Sequence, residues 1–335
     1  HIARASLDWD RIPAAFPHRP RPDHPFEADL DLVGDRSLHR LLDTAVTYEG
    51  SHRLRAWLTA SIPDTGEIAR RQELVRELIP RSLFRDKLTL CAQVAAGGRK
   101  TWEADHLLRW LQVPGADVSQ RNWLLLLAAL ATANAALFIA NLQGVLPAWW
   151  RMTFLLYLGL MLVRSREISV LWDSALALEG ALRQLGAVLS HLERNAYQAT
   201  PHLASLCAPF LDRAHRPSQY LARITRVVAA MGIRGNPLVW FALNAVVPWD
   251  AYFAYRLQQT RAAMAGHAPS WLEVWFQLEA LGSLANLAYL NPGYTSPEIL
   301  APGEVAGSGS DRPVFGAQGL GHPLIASAEP VSYTH

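Results

Sequence analysis

Residues able to do chemistry occur along this chain, but few stand at spacings that would let them act together. Gly97-Gly98-Arg99-Lys100-Thr101 looks like the end of a phosphate-cradling loop. Such a loop needs Gly immediately before the Lys and another Gly five positions earlier. Those positions hold Arg99 and Val94. Gly316, Gly319 and Gly321 lack the spacing and the strand–turn–helix frame of a dinucleotide loop. Asp29-Leu30-Asp31-Leu32-Val33-Gly34 opens like a calcium loop, yet its fifth position is Val33 and its twelfth is Arg40, so two oxygen ligands are missing. There is no His-Glu-x-x-His pair and no Gly-x-Ser-x-Gly elbow. The 12 histidines are scattered without metal-ligand spacing. Cys91 and Cys207 lie far apart, which excludes a disulfide framework and a Cys-based zinc site and suits a reducing compartment. No catalytic residue, metal ligand or cofactor-binding residue is assigned to this chain.

One cluster has a chemical leaning. Arg213, His215, Arg216, Arg223, Arg226 and Arg234 contain no acid among them, and Leu221, Ile224, Val228 and Met231 form an apolar face beside them. Arg213, Arg216, Arg223 and Arg226 are the candidates for contact with DNA phosphates or anionic lipid head groups. The competing reading is the solvated face of a packed helix. Composition does not decide between them, because a net charge of +2 over 335 residues is too small to advertise nucleic acid. It does exclude a disordered chain. Half the residues are hydrophobic and 18% are charged, against roughly 25% for an ordinary soluble domain.

The elements that would position these residues are helices. Pro13, Pro17, Pro20, Pro22 and Pro25 make residues 1–25 irregular, a linker from something upstream. Helical spacing begins at Ser37 with Leu38, Leu41, Leu42 and Ala45, breaks at Gly50, and resumes with Leu54, Trp57 and Leu58. Gly50 is expected at a tight junction between these two helices. Asp64 and Glu67 have capping-box spacing ahead of Ile68, Leu74, Val75 and Leu78. A fourth helix is predicted over 83–96. Later, 166–197 reads as one helix of about nine turns, with Leu182, Leu185, Val188, Leu189 and Leu192 on its apolar stripe. Pro237 opens a helix over 238–259 that Pro248 and Asp250 interrupt, and Ser270 is placed as the cap of a last helix over 271–290.

The oddest stretch is 122–150, which carries no charge. Residues 123–142 are apolar except for Thr132, Asn134 and Asn141, and a helix of twenty residues spans about 30 Å, the thickness of a bilayer core. A second apolar run follows over 145–163, broken only by Arg151. Trp123, Trp149 and Trp150 stand where aromatic belts fall. Arg99, Lys100, Arg109 and Arg121 precede the pair and Arg164, Arg166 and Arg183 follow it, so both ends are expected on the cytoplasmic side of the inner (plasma) membrane. Against this stand the two asparagines and Arg151, since polar groups are costly in lipid. They favour a buried hairpin in a soluble bundle.

Exact residues add a family likeness. Ser37-Leu38, Leu41-Leu42-Asp43-Thr44-Ala45-Val46-Thr47, Gly50, Leu54, Trp57-Leu58, Asp64, Ile68, Arg71-Gln72, Val75 and Glu77-Leu78 stand in one order. The run resembles the start of the core (lever) domain of the MutS family of DNA mismatch-repair ATPases. Glu279-Ala280-Leu281-Gly282-Ser283-Leu284-Ala285, then Asn291-Pro292-Gly293-Tyr294 and Pro297, resembles the end of that domain. Gly321-His322-Pro323-Leu324-Ile325 resembles the His-Pro motif that opens the family's ATPase domain. His24-Pro25-Phe26 and Asp29–Gly34 look like a MutS-like subfamily with membrane segments. The chain departs from the mismatch-recognition members in three ways. The apolar hairpin stands where they carry a DNA clamp, the Phe-x-Glu wedge is missing, and no P-loop follows the His-Pro motif.

The resemblance implies a mostly α fold. It would be a long-helix lever/core bundle with an apolar helical hairpin and a short β-containing C-terminal tail, leading to an α/β ATPase domain outside this chain. The expected division is 1–25 linker, 26–118 first half of the core, 119–164 transmembrane hairpin, 165–291 second half, and 292–335 start of the ATPase domain. A fragment of a longer protein is expected, since it begins at His1 and stops at Thr334-His335 with no element completed. The likeness further implies ATP and Mg for the full-length parent, DNA as partner, membrane contact through 123–163 and a homodimer through the ATPase domain. Leu42, Asp43, Thr47, Gly50, Trp57, Arg71, Gln72, His322 and Pro323 are the motif residues, in structural roles. Leu41, Leu42, Leu54, Trp57, Leu58, Ile68 and Leu78 are the expected core. The rivals are a membrane-anchored helical scaffold with no DNA role and a soluble helical interaction module.

Overall fold

Ser37, Thr47, Asp64 and Asn236 each place a side-chain oxygen over free N–H groups of a first helical turn: Ser37 on Arg40, Thr47 on Gly50, Asp64 on Gly66 and Glu67, Asn236 on Leu238 and Val239. Helices follow almost throughout. A computed structural model describes residues 2–14, 21, 23–62, 64–96, 105–112, 118–230, 232–299 and 321–325. Among them the order is α1 (Ile2–Ala5), α2 (Leu38–Leu42), α3 (Tyr48–Leu58), α4 (Thr65–Leu78), α5 (Ser82–Ala96), α6 (Asp105–Gln112), α7 (Val118–Leu142), α8 (Trp150–Val163), α9 (Ser165–Arg194), α10 (Pro201–Leu206), α11 (Ala208–Leu211), α12 (Pro217–Ala230), α13 (Pro237–Val246), α14 (Trp249–Ala265) and α15 (Ala268–Leu290), with a 3-10 turn at Gly232–Gly235. No β-strand occurs among the described residues. The fold is therefore mostly α. Leu324-Ile325, expected as a β-like piece, is a turn, while Gly97–Thr101, Pro313–Phe315, Gly316, Gly319 and most of 292–335 lie outside the described residues.

Two compact units form, each discontinuous in sequence. The first comprises His1–Glu103, Asn195–Ala208 and Glu273–His335. Its centre joins chain segments more than 200 residues apart. Leu42 and Leu54 pack on Ala280, with Leu38, Trp57, Leu58, Leu284 and Leu287 around them. Leu41, Leu74, Leu78, Phe84 and Leu88 are also buried, whereas Ile68 is half-buried. Helix ends are sealed by distant side chains. Arg4 donates to the carbonyls of Arg40, Leu41 and Asp43 at the end of α2. Glu77 of α4 accepts from the first N–H groups of α10, His202 at 3.0 Å and Leu203 at 2.7 Å. Two expectations are corrected here. Gly50 sits inside α3, in its first turn, and makes no junction between helices. Ser270 lies within α15 and does not cap it; its hydroxyl bonds the His267 carbonyl.

The second unit comprises Ala104–Arg194 and Pro209–Leu272. Helix α9, 30 residues or about 45 Å long, ends at Arg194, three residues short of the expected Tyr197. Along it Trp172, Ala175, Leu182, Leu185, Val188, Leu189 and Leu192 are buried. Helix α12 runs antiparallel to it. Glu193 accepts from Ser218 near one end, and Leu221 lies over Gly186 further along. Helices α7 and α8 form the apolar hairpin, holding Leu127, Ala131 and Tyr157 in its seam. The second apolar run is helical only over 150–163, because Gly144, at φ +73°, and Pro147 carry the turn. Among the described residues only α7 contains a stretch long and apolar enough to cross a membrane, Ser119–Leu142, 24 residues at a mean hydropathy of 2.1.

Candidate functional site

The motif residues and the second resemblance block meet at one polar junction in the first unit. Glu279, Ser283 and Asn286 stand at i, i+4 and i+7 on α15, so they share one helix face. Glu279 is buried, at 7% exposure. Its carboxylate accepts from the backbone N–H of Thr47 at 3.1 Å and of Val46 at 3.4 Å, and from the Thr47 hydroxyl. The same Thr47 oxygen accepts from Gly50 N–H at 2.9 Å and so starts α3. A Cβ at Gly50 would overlap the Glu279 carboxylate and lie 2.9 Å from Thr47 Oγ1. Glycine is required there by close approach, and not by a turn. Ser283 Oγ accepts from Thr44 N–H at 3.1 Å, Asn286 Nδ2 donates to Thr44 Oγ1, and Arg85 Nε donates to Asn286 Oδ1 at 2.9 Å.

Electrostatics within the first unit are uneven. Burial pushes the Glu279 carboxyl up to about 7; the bonds from Thr47 and Val46 pull it back only partly, and Asp43 nearby adds to the rise. Glu27 behaves oppositely. Burial raises its carboxyl, but the hydrogen bonds from Arg55 and Arg21 outweigh that and hold it below the usual carboxylate range. Cys207 is buried, and desolvation lifts its thiol to about 11, which removes it from thiolate chemistry.

His39, Asp43 and Ser51 together invite comparison with a hydrolytic triad. In a triad the imidazole stands between acid and hydroxyl, and the hydroxyl faces substrate. Here the Ser51 hydroxyl donates directly to Asp43 Oδ2 at 2.6 Å, and His39 Nε2 lies 3.1 Å from the Ser51 carbonyl oxygen and 3.3 Å from its hydroxyl, so the imidazole does not stand between acid and hydroxyl. His39 is only 1% exposed and Ser51 is fully buried. The three form a clasp between α2 and α3 with no access for substrate. Among the described residues no group of three or more His, Cys, Asp or Glu side chains could hold a metal ion.

The remaining motif residues serve the same scaffold. Leu42 is core, and Asp43 Oδ1 accepts from Ala45 N–H at 3.0 Å as α2 ends. The Arg71 guanidinium lies 4.6 Å over the Trp57 ring, and Gln72 donates to the Pro297 carbonyl. His322 is exposed, with Nδ1 accepting from Leu324 N–H, and Pro323 lies in the same turn. Glu279 stands out in the sequence only as the first residue of the second resemblance block, and Ser51, Asn286 and Arg85 do not stand out in it. The available signal was a carboxylate at the centre of the apolar run 271–290, which can only be buried with partners.

The basic stretch lies on and before α12. Arg213, Arg223 and Arg226 are exposed. The stretch is less free than its sequence suggests. Glu193 of α9 lies 3.7 Å from Arg216, and Asp212 bonds His215 at 2.7 Å. Arg223 lies over the Tyr220 ring, and Arg226 Nε bonds the Ala222 carbonyl. The buried face of α12 is Tyr220, Ile224, Val227 and Val228; Leu221 is half-buried, and Met231 and the Arg234 side chain lie outside the described set.

The hairpin reverses the usual arrangement of surface and core. Leu125, Leu126, Phe138, Ile139, Met152, Leu155, Leu156 and Leu162 are exposed. Its polar groups bond one another. The Thr153 hydroxyl donates to Asn134 Oδ1 at 2.9 Å across the pair, and Asn141 bridges the turn, from the Leu146 carbonyl to Trp150 Nε1. Arg151 stacks on Trp150. At the other end Arg164 lies over Trp123 and donates to Ser119. The asparagines expected to favour a soluble bundle are thus satisfied within the hairpin. No protein-family model matches this chain, and neither a curated protein nor a solved structure is significantly similar to it.

Proposed function

We propose that this chain is the lever/core portion of a MutS-like ATPase, anchored in the inner (plasma) membrane by the α7–α8 hairpin. It would couple ATP and Mg binding in a C-terminal domain outside this chain to DNA. The supporting observation is the junction at Glu279. The two blocks on which the family likeness rests are more than 230 residues apart, and they hydrogen-bond each other side chain to backbone. A lever works by moving as a rigid body between discrete states. A buried, hydrogen-bonded junction gives the first unit that rigidity. ATP chemistry and the homodimer contact belong, on this reading, to the domain outside the chain.

The test has two arms. Reading the gene past codon 335 should reveal Gly-x-x-x-x-Gly-Lys-Ser/Thr within about 40 codons; an immediate stop codon defeats the ATPase reading. In the second arm the reconstituted full-length protein is titrated with duplex DNA between about 50 and 200 mM salt. Changing Arg213, Arg216, Arg223 and Arg226 together to Gln should weaken binding and flatten its salt slope. An unchanged slope removes this helix as the DNA contact. The second reading, a membrane-anchored helical scaffold with no DNA role, is favoured by the pairing of Arg216 with Glu193 and of His215 with Asp212. It predicts membrane retention with no DNA binding at any salt concentration.

A further inference from the structure

We propose that α13 and the Pro248 break after it lie within the hydrocarbon of the lipid bilayer as a half-depth element beside the hairpin, entering one leaflet without crossing to the other. The inference rests on the reading of α7–α8 as a membrane hairpin. It adds a third element that reaches lipid and fixes how deep it goes.

Length comes first. Residues 235–249 carry no charge, yet α13 has only 10 residues, about 15 Å of helix against about 30 Å of hydrocarbon. It cannot span, and its apolar side chains still face outward. Leu238 is 82% and Val246 67% exposed, with Val239, Phe241 and Val247 also open. This surface is continuous in kind with the outer face of α8, where Leu155 and Leu156 are exposed.

Depth follows from what the end of α13 touches. The Tyr157 hydroxyl, halfway along α8, donates to the Asn244 carbonyl at 2.6 Å. Ala251, just past the break, packs against the Leu127–Ala131–Tyr157 seam of the hairpin. The C-terminal end of α13 is therefore held at the hairpin's mid-length.

The backbone polar groups are the third argument. Non-helical chain is tolerated at membrane depth only when its polar groups are satisfied by protein. Asn236 bonds the N–H groups of Leu238 and Val239, and Pro237 has none to satisfy. At the break Asn244 works twice: Oδ1 accepts from Asp250 N–H at 3.1 Å and Nδ2 donates to the Trp240 carbonyl. Trp240 Nε1 bonds Asp250 Oδ2 at 2.9 Å, and Trp249 Nε1 bonds the Ala230 carbonyl. Asp250 itself is buried at 4% exposure. A break exposed to water would have solvent for these groups; this one is closed by side chains.

Variants of the full chain with one accessible cysteine test this in vesicles of phosphatidylcholine with anionic phospholipid. In a Cys91→Ser background, with Cys207 buried, an environment-sensitive fluorophore is attached at Leu126→Cys, Leu238→Cys or Val246→Cys. Nitroxide quenchers are carried on lipids either at the head group or deep in the acyl chain. The expected result is quenching at all three sites. The ratio of deep to shallow quenching should be several-fold higher at Val246 than at Leu238. Quenching at Leu126 with water-like emission at Leu238 and Val246 overturns the proposal and leaves the hairpin reading intact. Equal depth at Leu238 and Val246 overturns the half-depth geometry. Shielded emission without lipid quenching, together with energy transfer between copies, overturns it in favour of a contact between two copies of the chain. Loss of quenching at Leu126 as well removes both readings.

Discussion

The Glu279 junction and the α7–α8 hairpin invert each other. Around Glu279 the polar side chains are inside, in a hydrogen-bonded network bordered by Leu42, Leu54 and Ala280. In the hairpin the large apolar side chains are outside, the Thr153 hydroxyl bonds Asn134 at the seam, and Asn141 bonds the Leu146 carbonyl and Trp150 Nε1 at the turn. Both regions obey one rule, that a polar group removed from water must find a partner. The two differ in which side chains they leave outside: polar and charged ones over much of the first unit, large apolar ones on the hairpin.

Equal truncations should separate them most widely. Leu54→Ala removes a fully buried side chain and should cost about 2–5 kcal/mol in unfolding free energy, whereas Leu155→Ala should stay within about 0.5 kcal/mol in detergent. Urea titration followed by circular dichroism measures both. Similar costs would show that Leu155 is buried in the working protein. A charge then probes the hairpin from the lipid side. Leu156→Lys should leave the fold in detergent unchanged but cost about 3 kcal/mol of insertion, seen as loss of the chain from floated vesicles. Undiminished flotation would count against a lipid-facing α8.

Smaller effects are expected at the junction. Gly50→Ala forces Thr47 and Glu279 apart and should cost about 1–3 kcal/mol, read as a lower Tm; an unchanged Tm would mean the carboxylate does not approach α3 this closely. Glu279 also predicts a pH dependence. Its folded value of about 7 is raised above the ordinary carboxyl value of 4.5, so its contribution is fully present below 4.5 and is lost as pH rises through 7. Stability should fall across that window. Glu279→Gln, which cannot ionise, should flatten the profile. A variant that keeps the wild-type slope would place the titration elsewhere.

Much of the first unit was legible beforehand because local rules dominate it. The Asp64 cap, the stripe through Leu74 and Leu78, and the core positions Leu41, Leu42 and Leu54 depend on neighbours within a turn or two. Asp64 caps the helix as its spacing to Glu67 predicts, and the Glu67 carboxylate pairs with Arg70 and Arg71. Gly50 was misplaced because a lone glycine reads as a break; its reason is a carboxylate more than 220 residues away in the chain. The basic stretch looked acid-free for the same reason, since Glu193 reaches Arg216 only when α9 and α12 pack antiparallel.

The sequence by itself determined the helical class, the caps, the charge-free run from 122 to 150 and the absence of any recognisable catalytic spacing. These are matters of period, composition and local hydrogen bonding. Only the tertiary structure decided that Glu279 is enclosed with Thr47 while Glu27 is held ionised by two arginines. It also decided that the second apolar run is helical only over 150–163, and that Asn134 finds Thr153. The physical reason is that a buried polar group is stable only through a partner, and in this chain most such partners come from distant segments that only folding brings together.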